Sequence, residues 1–590
     1  MARAHLYGTP VSPGIALGTV HFLHTDPVPE KRRILAAEVE QEQEKLQAAL
    51  QAVSEDLDKA CKKVPEDMQE YREIIAVQKD MTRDPRLVES TGKLIAEDLV
   101  NASWALSQVV QQLCNIFREM QDPYLQDRAQ DIRAVGLRIL EKLSGSEHGA
   151  ELPSSLILAA EDISPADIMD LDADRIVGIM THEGGITSHT AIMARGMHIP
   201  ALVCVTNLMV AAKEGDSVIL DGITGNILID PDDNDSKRLS ERAENYRSWR
   251  KATSNMAHWP ADTVDAVRVS VLANIESPEE TSSLAATGAD GIGLYRTEFA
   301  FMGDNIPNEE ELATEYTKVV QGSPGTAVIR TLDCGADKLM KAQAQLKEPN
   351  PALGLRGVRY TLRNQDLFRV QLRALLRAGV SGRLAVMVPM ISNVEEVRAV
   401  KRLMQEVDQE LCMRHIPHAR TLPLGIMVET PAAMMITDAL ARECDFFSIG
   451  TNDLIHYMLA IDRNNRHVAY LSDCMHPAVV RALKRIIDSG HRAGLSVSAC
   501  GELSADPFGV VLMLGMGIDA FSVSPAFLPG IKHLIRKLEA RACTELASQV
   551  LMSSDIPACK HMVREMLQKT MGHELGFMTS SSMVERGQTV

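Results

Sequence analysis

From residue 262 onward the chain alternates eight short apolar, β-branched runs with helix-like segments. The runs are VRVSVLANI (267–275), DGIGLYRT (290–297), AVIRTLD (327–333), LAVMVPMI (384–391), PLGIMVET (423–430), DFFSIGT (445–451), LSVSAC (495–500) and IDAFSVS (518–524). Helix-like segments separate the runs, the alternation of strand and helix that βα units require. Eight such repeats over residues 262–575 predict a (β/α)8 barrel, with a doubly wound open sheet as the competing arrangement.

In such a barrel the chemistry gathers at the C-terminal ends of the strands. The run ends here carry Asn274, Arg296, Arg330 with Asp333, Glu429, Asn452 with Asp453, and Cys500. One polar strand end is ordinarily a satisfied loop residue. Charges converging from most strands on one mouth need a ligand to neutralise them. Arg296, Arg330, Arg356 and Arg463 offer forked donors suited to phosphate and carboxylate oxygens. Glu429 and Asp453 supply two hard oxygen ligands, the pattern for Mg²⁺ completed by water and a substrate phosphate. Cys500, in ACGEL, reads equally well as a proton-exchanging acid–base group or as a buried inert thiol.

The first half has a different grain. Residues 1–23 open with β-like sequence, SPGIALG (12–18) being a turn followed by a strand. Residues 24–146 are helical: Val39, Leu46, Leu50, Val53 and Leu57 form one apolar stripe on a charged helix. Further helices are expected over 66–80, 84–99, 101–120 and 125–143, with Pro65, Pro85 and Pro123 at the turns. Short apolar strands then return in SLILAA, RIVGIM, ALVCV, SVILDG and NILIDP, so residues 1–23 and 147–230 are expected to form one α/β domain interrupted by a helical insert. The charged stretch 231–261 reads as a linker helix, and 576–590 as a disordered tail.

Within that α/β domain lies GGITSHTAIMARGMHIPAL (184–202). Two glycines break the chain, Thr187 and Ser188 offer capping hydroxyls, and His189 stands at the start of a helix whose second turn ends near Arg195. A helix N-terminus presents unpaired N–H groups and the positive end of a dipole, which favour phosphate. A histidine there is suited to carry a phosphoryl group on a ring nitrogen. Alone it would be a helix cap that happens to hold a histidine; the glycines, the cap and the arginine together favour function.

At 590 residues the chain is too long for one core and implies three or four domains. Its 61 basic and 79 acidic residues leave a net charge of −18, which argues against nucleic acid and anionic membranes as partners. Ten scattered cysteines with no CxxC pair fit reduced thiols, and no run approaches the length of a membrane span or a secretory signal. A cytoplasmic protein is expected.

GGxTSHxAIMAR resembles the phosphohistidine signature shared by enzyme I of the bacterial sugar phosphotransferase system, phosphoenolpyruvate synthase and pyruvate phosphate dikinase. The motifs LYRTEF, IRTLDCGADK, NPALGLRGVR, VETPAA, SIGTNDL, AIDRNN and CGEL resemble the phosphoenolpyruvate-binding barrel of enzyme I, in the family's order and over nearly the whole chain. The other two families need a nucleotide-binding domain ahead of the histidine domain. Only 188 residues precede His189, and they hold no Gly-rich phosphate loop, so enzyme I is the better match.

The resemblance implies a swivelling phosphohistidine domain followed by the barrel, with phosphoryl transfer from phosphoenolpyruvate to His189 and on to the histidine of the carrier HPr, which docks on the insert. It implies that Arg296, Arg330, Arg356, Asn452 and Arg463 hold the substrate, that Glu429 and Asp453 hold Mg²⁺, that Cys500 protonates the enolate, and that the barrel forms a homodimer. Sugar uptake would be the downstream process. The sequence departs from enzyme I at Ala336 and Asn464, where glycines are usual, and at Ile168, where a threonine commonly hydrogen-bonds the active histidine. Thr187 or Asp167 are the available substitutes, and a phosphoenolpyruvate-sensing regulator with weak turnover is the alternative function.

Overall fold

The computed structural model describes residues 4–23, 29–64, 69–118, 123–144, 155–170, 175–185, 188–197, 199–301, 306–334, 350–462, 465 and 467–578. The chain divides into two compact units, one within residues 1–247 and one within 248–578.

The first unit is built on one eight-stranded sheet. Its strands are β1 (Ala4–Tyr7), β2 (Thr9–Ser12), β3 (Ile15–Phe22), β4 (Leu156–Ala160), β5 (Ile176–Thr181), β6 (Ala201–Val203), β7 (Ser217–Asp221) and β8 (Asn226–Ile229), in the spatial order β1-β8-β7-β3-β4-β5-β6-β2. The opening segment is therefore three strands rather than one. β1 lies at one edge against β8 and β2 at the other against β6. Strands of four residues carry too short an alternation to be separated in the sequence.

Between β3 and β4 run the helices Val39–Lys63, Gln69–Met81, Pro85–Asp98, Ala102–Arg118 and Pro123–Ser144. The stripe is inside: Leu46, Leu50, Val53 and Leu57 are buried, with Val39 packed at its end. Successive residues of a strand face opposite sides. Leu156, Leu158 and Ala160 accordingly join the core of the helices, while Ile157 and Ala159 join a second core on the far face. The insert thus shares one continuous core with the sheet. Ile168 belongs to that core and is 1% exposed. A branched alkyl side chain suits this packing.

The second unit is a closed barrel of eight parallel strands: β9 (Ser270–Ile275), β10 (Ile292–Arg296), β11 (Ala327–Arg330), β12 (Leu384–Val388), β13 (Leu424–Val428), β14 (Phe446–Gly450), β15 (Ser496–Cys500) and β16 (Ala520–Val523). Each lies inside one of the eight apolar runs. Closure is made by β16 on β9, in the register Ala520↔Ser270 to Val523↔Ala273, which excludes the open sheet. The helix Asp233–Asn255 occupies most of the expected linker and contains the division between the units. At the other end, a 3-10 turn (Gly572–Phe577) extends past the expected start of the tail at 576. Phe577 is buried, its ring 5.8 Å from that of Trp249, and this contact keeps the chain packed to that point. Residues 579–590 lie outside the described residues.

No described helix is long and apolar enough to cross a membrane, and none of the ten cysteines is in a disulfide.

Candidate active site

Parallel strands bring their C-terminal ends to one mouth, and the polar residues singled out in the sequence fall there. Arg296 is the last residue of β10, Arg330 of β11 and Cys500 of β15. Glu429 follows β13 directly, and Asn452 and Asp453 lie in the first turn of the helix Thr451–Leu459 that follows β14. Arg356 precedes the helix Val358–Arg363. Arg463, Ala336 and Asn464 lie outside the described residues.

At the mouth, arginines and carboxylates alternate in a chain. Arg330 Nη2 donates to Glu298 Oε1 at 2.7 Å, and its Nη1 lies 3.0 Å from Asp333 Oδ2. Arg356 Nη2 reaches the same Asp333 oxygen at 2.9 Å and Asp453 Oδ2 at 3.3 Å, while its Nη1 donates to Tyr457 Oη at 3.2 Å. Arg330 Nε and Glu298 Oε2 are buried without a hydrogen-bond partner, so this network has unused donor and acceptor capacity. Arg296 pairs with Glu276 instead. Asn452 accepts from the backbone N–H of Glu502 at 3.0 Å, tying the helix after β14 to the loop after β15.

Glu429 is 1% exposed. Its Oε1 accepts from the N–H of Met390 at 2.6 Å, and Met390 holds a left-handed φ of 59° in the loop after β12. A Cβ built on Gly450 would stand 2.6 Å from Glu429 Oε2, so the last residue of β14 leaves room for this carboxylate only by lacking a side chain. Burial, then the charges of Asp333 and Asp453, push the Glu429 carboxyl well above the usual range; Arg330 and the Met390 N–H only partly oppose them. Burial also works against charge on Arg330 and Arg356, but the carboxylates around them outweigh it and hold both guanidiniums protonated.

Four carboxylates (Glu298, Asp333, Glu429 and Asp453) thus stand with two guanidiniums (Arg330 and Arg356). Among the described residues the surplus is negative, and an anionic substrate entering alone would increase it. A divalent cation on Glu429 and Asp453 would relieve the repulsion that raises Glu429, so the residues present fit a hard metal ion.

Cys500 is 2% exposed and packs with Leu294, Met387 and Met427 inside the barrel. Ser448 Oγ donates to its sulfur at 3.5 Å, and the thiol faces the carbonyl of Ile449 at 3.5 Å. Burial raises its pKa, with Ser448 and Arg330 opposing. A thiol that stays protonated fits both readings, a proton donor and a packed inert thiol.

His189 opens the helix His189–Gly196, in the first unit. Ser188 is the N-cap, its hydroxyl accepting from the N–H of Ala191 at 3.2 Å. Thr187 and the His189 side chain lie outside the described residues. Asp167, the other substitute for the missing threonine, has both oxygens engaged. Arg138 binds Oδ1 at 2.7 Å, and the N–H and hydroxyl of Ser164 bind Oδ2 at 2.9 and 2.7 Å. Sequence reasoning passed over the parts played by Glu298, Tyr457, Met390 and Gly450. Glu298 sits inside LYRTEF, and Tyr457 is one turn beyond Asp453, the only signals they give.

Comparison with known proteins shows the family. Three family profiles match in series: PEP-utilising enzyme, N-terminal, over 7–128; PEP-utilising enzyme, mobile domain, over 152–225; and PEP-utilising enzyme, PEP-binding domain, over 250–540. The phosphoenolpyruvate-protein phosphotransferase of Geobacillus stearothermophilus is 37% identical over 552 residues, 92% of this chain and 95% of its own. That of Staphylococcus aureus (strain MRSA252) is 38% identical over 472 residues, 79% of this chain and 82% of its own. A solution structure of Enzyme I (nEIt) is 34% identical over 41% of this chain and 99% of its own, with a TM-score of 0.34. The three profiles together define a PEP-utilising enzyme. Within that class the chain belongs to the phosphoenolpyruvate-protein phosphotransferase family, and it is an enzyme of this kind, carrying out phosphoenolpyruvate-dependent phosphoryl transfer.

Proposed function

We propose that the enzyme takes the phosphoryl group of phosphoenolpyruvate onto His189 and passes it to the histidine of a small HPr-like carrier, the first step of a phosphotransferase system for sugar uptake. The observation that carries this reading is the barrel mouth, where two anion-binding arginines and a cation-demanding set of carboxylates interleave beside a protonated thiol. Arg330 and Arg356 clamp phosphate and carboxylate oxygens, with Arg296, Asn452 and Arg463 completing the grip. Glu429 and Asp453 would hold Mg²⁺, which supplies neutralisation of charge on the phosphoryl and enolate oxygens.

A ring nitrogen of His189 attacks phosphorus: a P–N bond forms, the bridging C–O–P bond breaks on the phosphorus side, and the enolate of pyruvate leaves. The Cys500 S–H bond then breaks as its proton passes to the enolate carbon, giving pyruvate and a thiolate beside Arg330. The helix start at Ser188 and His189 favours the charge of the phosphorylated ring. The same reading assigns residues 1–23 and 147–230 to the histidine domain, 24–146 to HPr docking, 231–261 to a linker and 262–575 to the substrate barrel. It places the protein in the cytoplasm as a homodimer joined through the barrel.

The test is incubation of the purified protein with labelled phosphoenolpyruvate and Mg²⁺, with and without HPr. One acid-labile, base-stable phosphoryl group per chain is expected, discharged by HPr. Stoichiometric labelling of His189→Ala would overturn the assignment.

A further inference from the structure

A second cluster of metal-binding side chains lies apart from the strand ends. The helix Val394–Met413 places Asp408 and Cys412 one turn apart, on the same face. The chain then turns back at His415, in a left-handed conformation (φ 54°), and brings His418 over that face. His418 Nε2 lies 2.9 Å from Asp408 Oδ1 and 3.6 Å from Cys412 Sγ, and the three atoms all fall within 4.8 Å of one another. The histidine side chain is 5% exposed.

Two further observations give the cluster its chemistry. His418 Nδ1 lies 2.7 Å from the carbonyl oxygen of Ile416. A carbonyl only accepts, so Nδ1 donates there and Nε2 is the nitrogen presented to Asp408 and Cys412; the Asp408 carboxylate also only accepts, so Nε2 donates to it until a metal takes the place of that proton. That orienting bond is the one metal-bound histidines habitually make. The cluster also already holds a cation: the Arg420 guanidinium donates to Cys412 Sγ, and its Nε lies 3.3 Å from Asp408 Oδ1, although the side chain is 71% exposed. A long exposed arginine can swing into solvent and vacate the place.

We propose that Asp408, Cys412 and His418 form a binding site for a thiophilic divalent cation, Zn²⁺ foremost, and that Arg420 occupies the position of the metal when it is away. Sulfur and nitrogen donors select against Mg²⁺, which keeps this site distinct from the carboxylates of the barrel mouth. Tetrahedral Zn–S and Zn–N bonds set their ligand atoms roughly 3.5 Å apart. The sulfur–nitrogen distance of 3.6 Å already meets this, and Asp408 Oδ1 needs only a few tenths of an ångström of retreat. On binding, bonds form from the metal to sulfur, nitrogen and oxygen, the thiol proton and the proton between His418 Nε2 and Asp408 pass to solvent, and water fills the fourth position.

Co²⁺ titrated into the full-length, reduced protein tests this. One equivalent should give the thiolate-to-cobalt charge-transfer band in the near ultraviolet with intense tetrahedral d–d bands, both abolished by Zn²⁺. Cobalt on the all-oxygen site of the barrel gives no such charge-transfer band. Cys412→Ser should lose the band, whereas Cys204→Ser, at an exposed thiol, should keep it. His418→Ala should weaken binding by at least about tenfold, the lower end of what even outer-shell changes cost. Arg420→Ala, at an exposed position, should tighten binding. Absence of the band in the wild-type protein, its survival in Cys412→Ser, or unchanged or weaker binding in Arg420→Ala would overturn the proposal.

Discussion

At Gly450 an added Cβ would stand 2.6 Å from the carboxylate oxygen of Glu429. Gly450→Ala should therefore leave the barrel folded but displace the carboxylate. The expected result is a rise of about tenfold or more in the Mg²⁺ concentration that half-saturates phosphorylation, measured beside an unchanged circular dichroism spectrum. Cys500→Ser replaces a thiol that burial keeps protonated with a far weaker acid. Turnover should fall by about a hundredfold or more while KM moves little, since a proton donor acts in the transition state. Turnover within a few-fold of the wild type would return Cys500 to packing. At this scale the sequence names strand-end residues well, because strand ends are positions in a pattern. It does not name Glu298 or Met390 as partners of Arg330 and Glu429, because those contacts join residues 32 and 39 positions apart through folds that no local pattern encodes.

Asp506 caps the helix Pro507–Met516, accepting from the N–H of Phe508 at 2.8 Å. Its surroundings push its pKa from 3.8 up to about 7: burial raises it, and the N–H groups of Phe508 and Gly509 with Lys560 only partly offset this. The folded protein therefore holds a proton at Asp506 that the unfolded chain has released. The resulting stability is present below pH 3.8 and is lost as pH rises through about 7. Asp506→Asn keeps the capping oxygen and removes the titration. Urea unfolding should show the variant gaining on the wild type by roughly 1–3 kcal/mol between pH 4 and 8, after solvent screening is allowed for. A difference that does not vary with pH would refute the role of Asp506. The elements themselves were legible wherever a period repeats: the stripe from Val39 to Leu57, and the eight barrel runs. The four-residue strands β1 and β2 were not, since they are placed by partners far along the chain, Asn226–Ile229 and Ala201–Val203. Nor was the shared core of insert and sheet, because an apolar stripe states that a face is buried and not what covers it.

On the proposed function one histidine would serve two reactions, and the division of the chain at residues 247 and 248 bears on how. The barrel mouth lies in the second unit, and the helix that His189 opens lies in the first. A group in transfer must come within about 3–3.5 Å of each partner in turn. Phosphoenolpyruvate in the barrel and a carrier docked on residues 24–146 would be two such partners, so two positions of the histidine domain are required. The charged helix Asp233–Asn255 is then the natural hinge. Trp249 sets where the chain should be cut. Its ring packs 6.3 Å from His533 and 5.8 Å from Phe577, both in the barrel unit, so a break just before Ser248 leaves each core whole. A fragment of residues 1–247 should fold with a cooperative thermal transition and accept a phosphoryl group from phosphorylated HPr onto His189. It should take none from phosphoenolpyruvate, because Arg330, Arg356 and Glu429 are absent from it. Deleting the insert instead is a poorer experiment, since it would strip the cover from Leu156, Leu158 and Ile179 and expose one face of the sheet. Should the folded fragment exchange no label with HPr, docking on residues 24–146 is wrong. Should it label from phosphoenolpyruvate alone, the barrel is not the site of the first transfer.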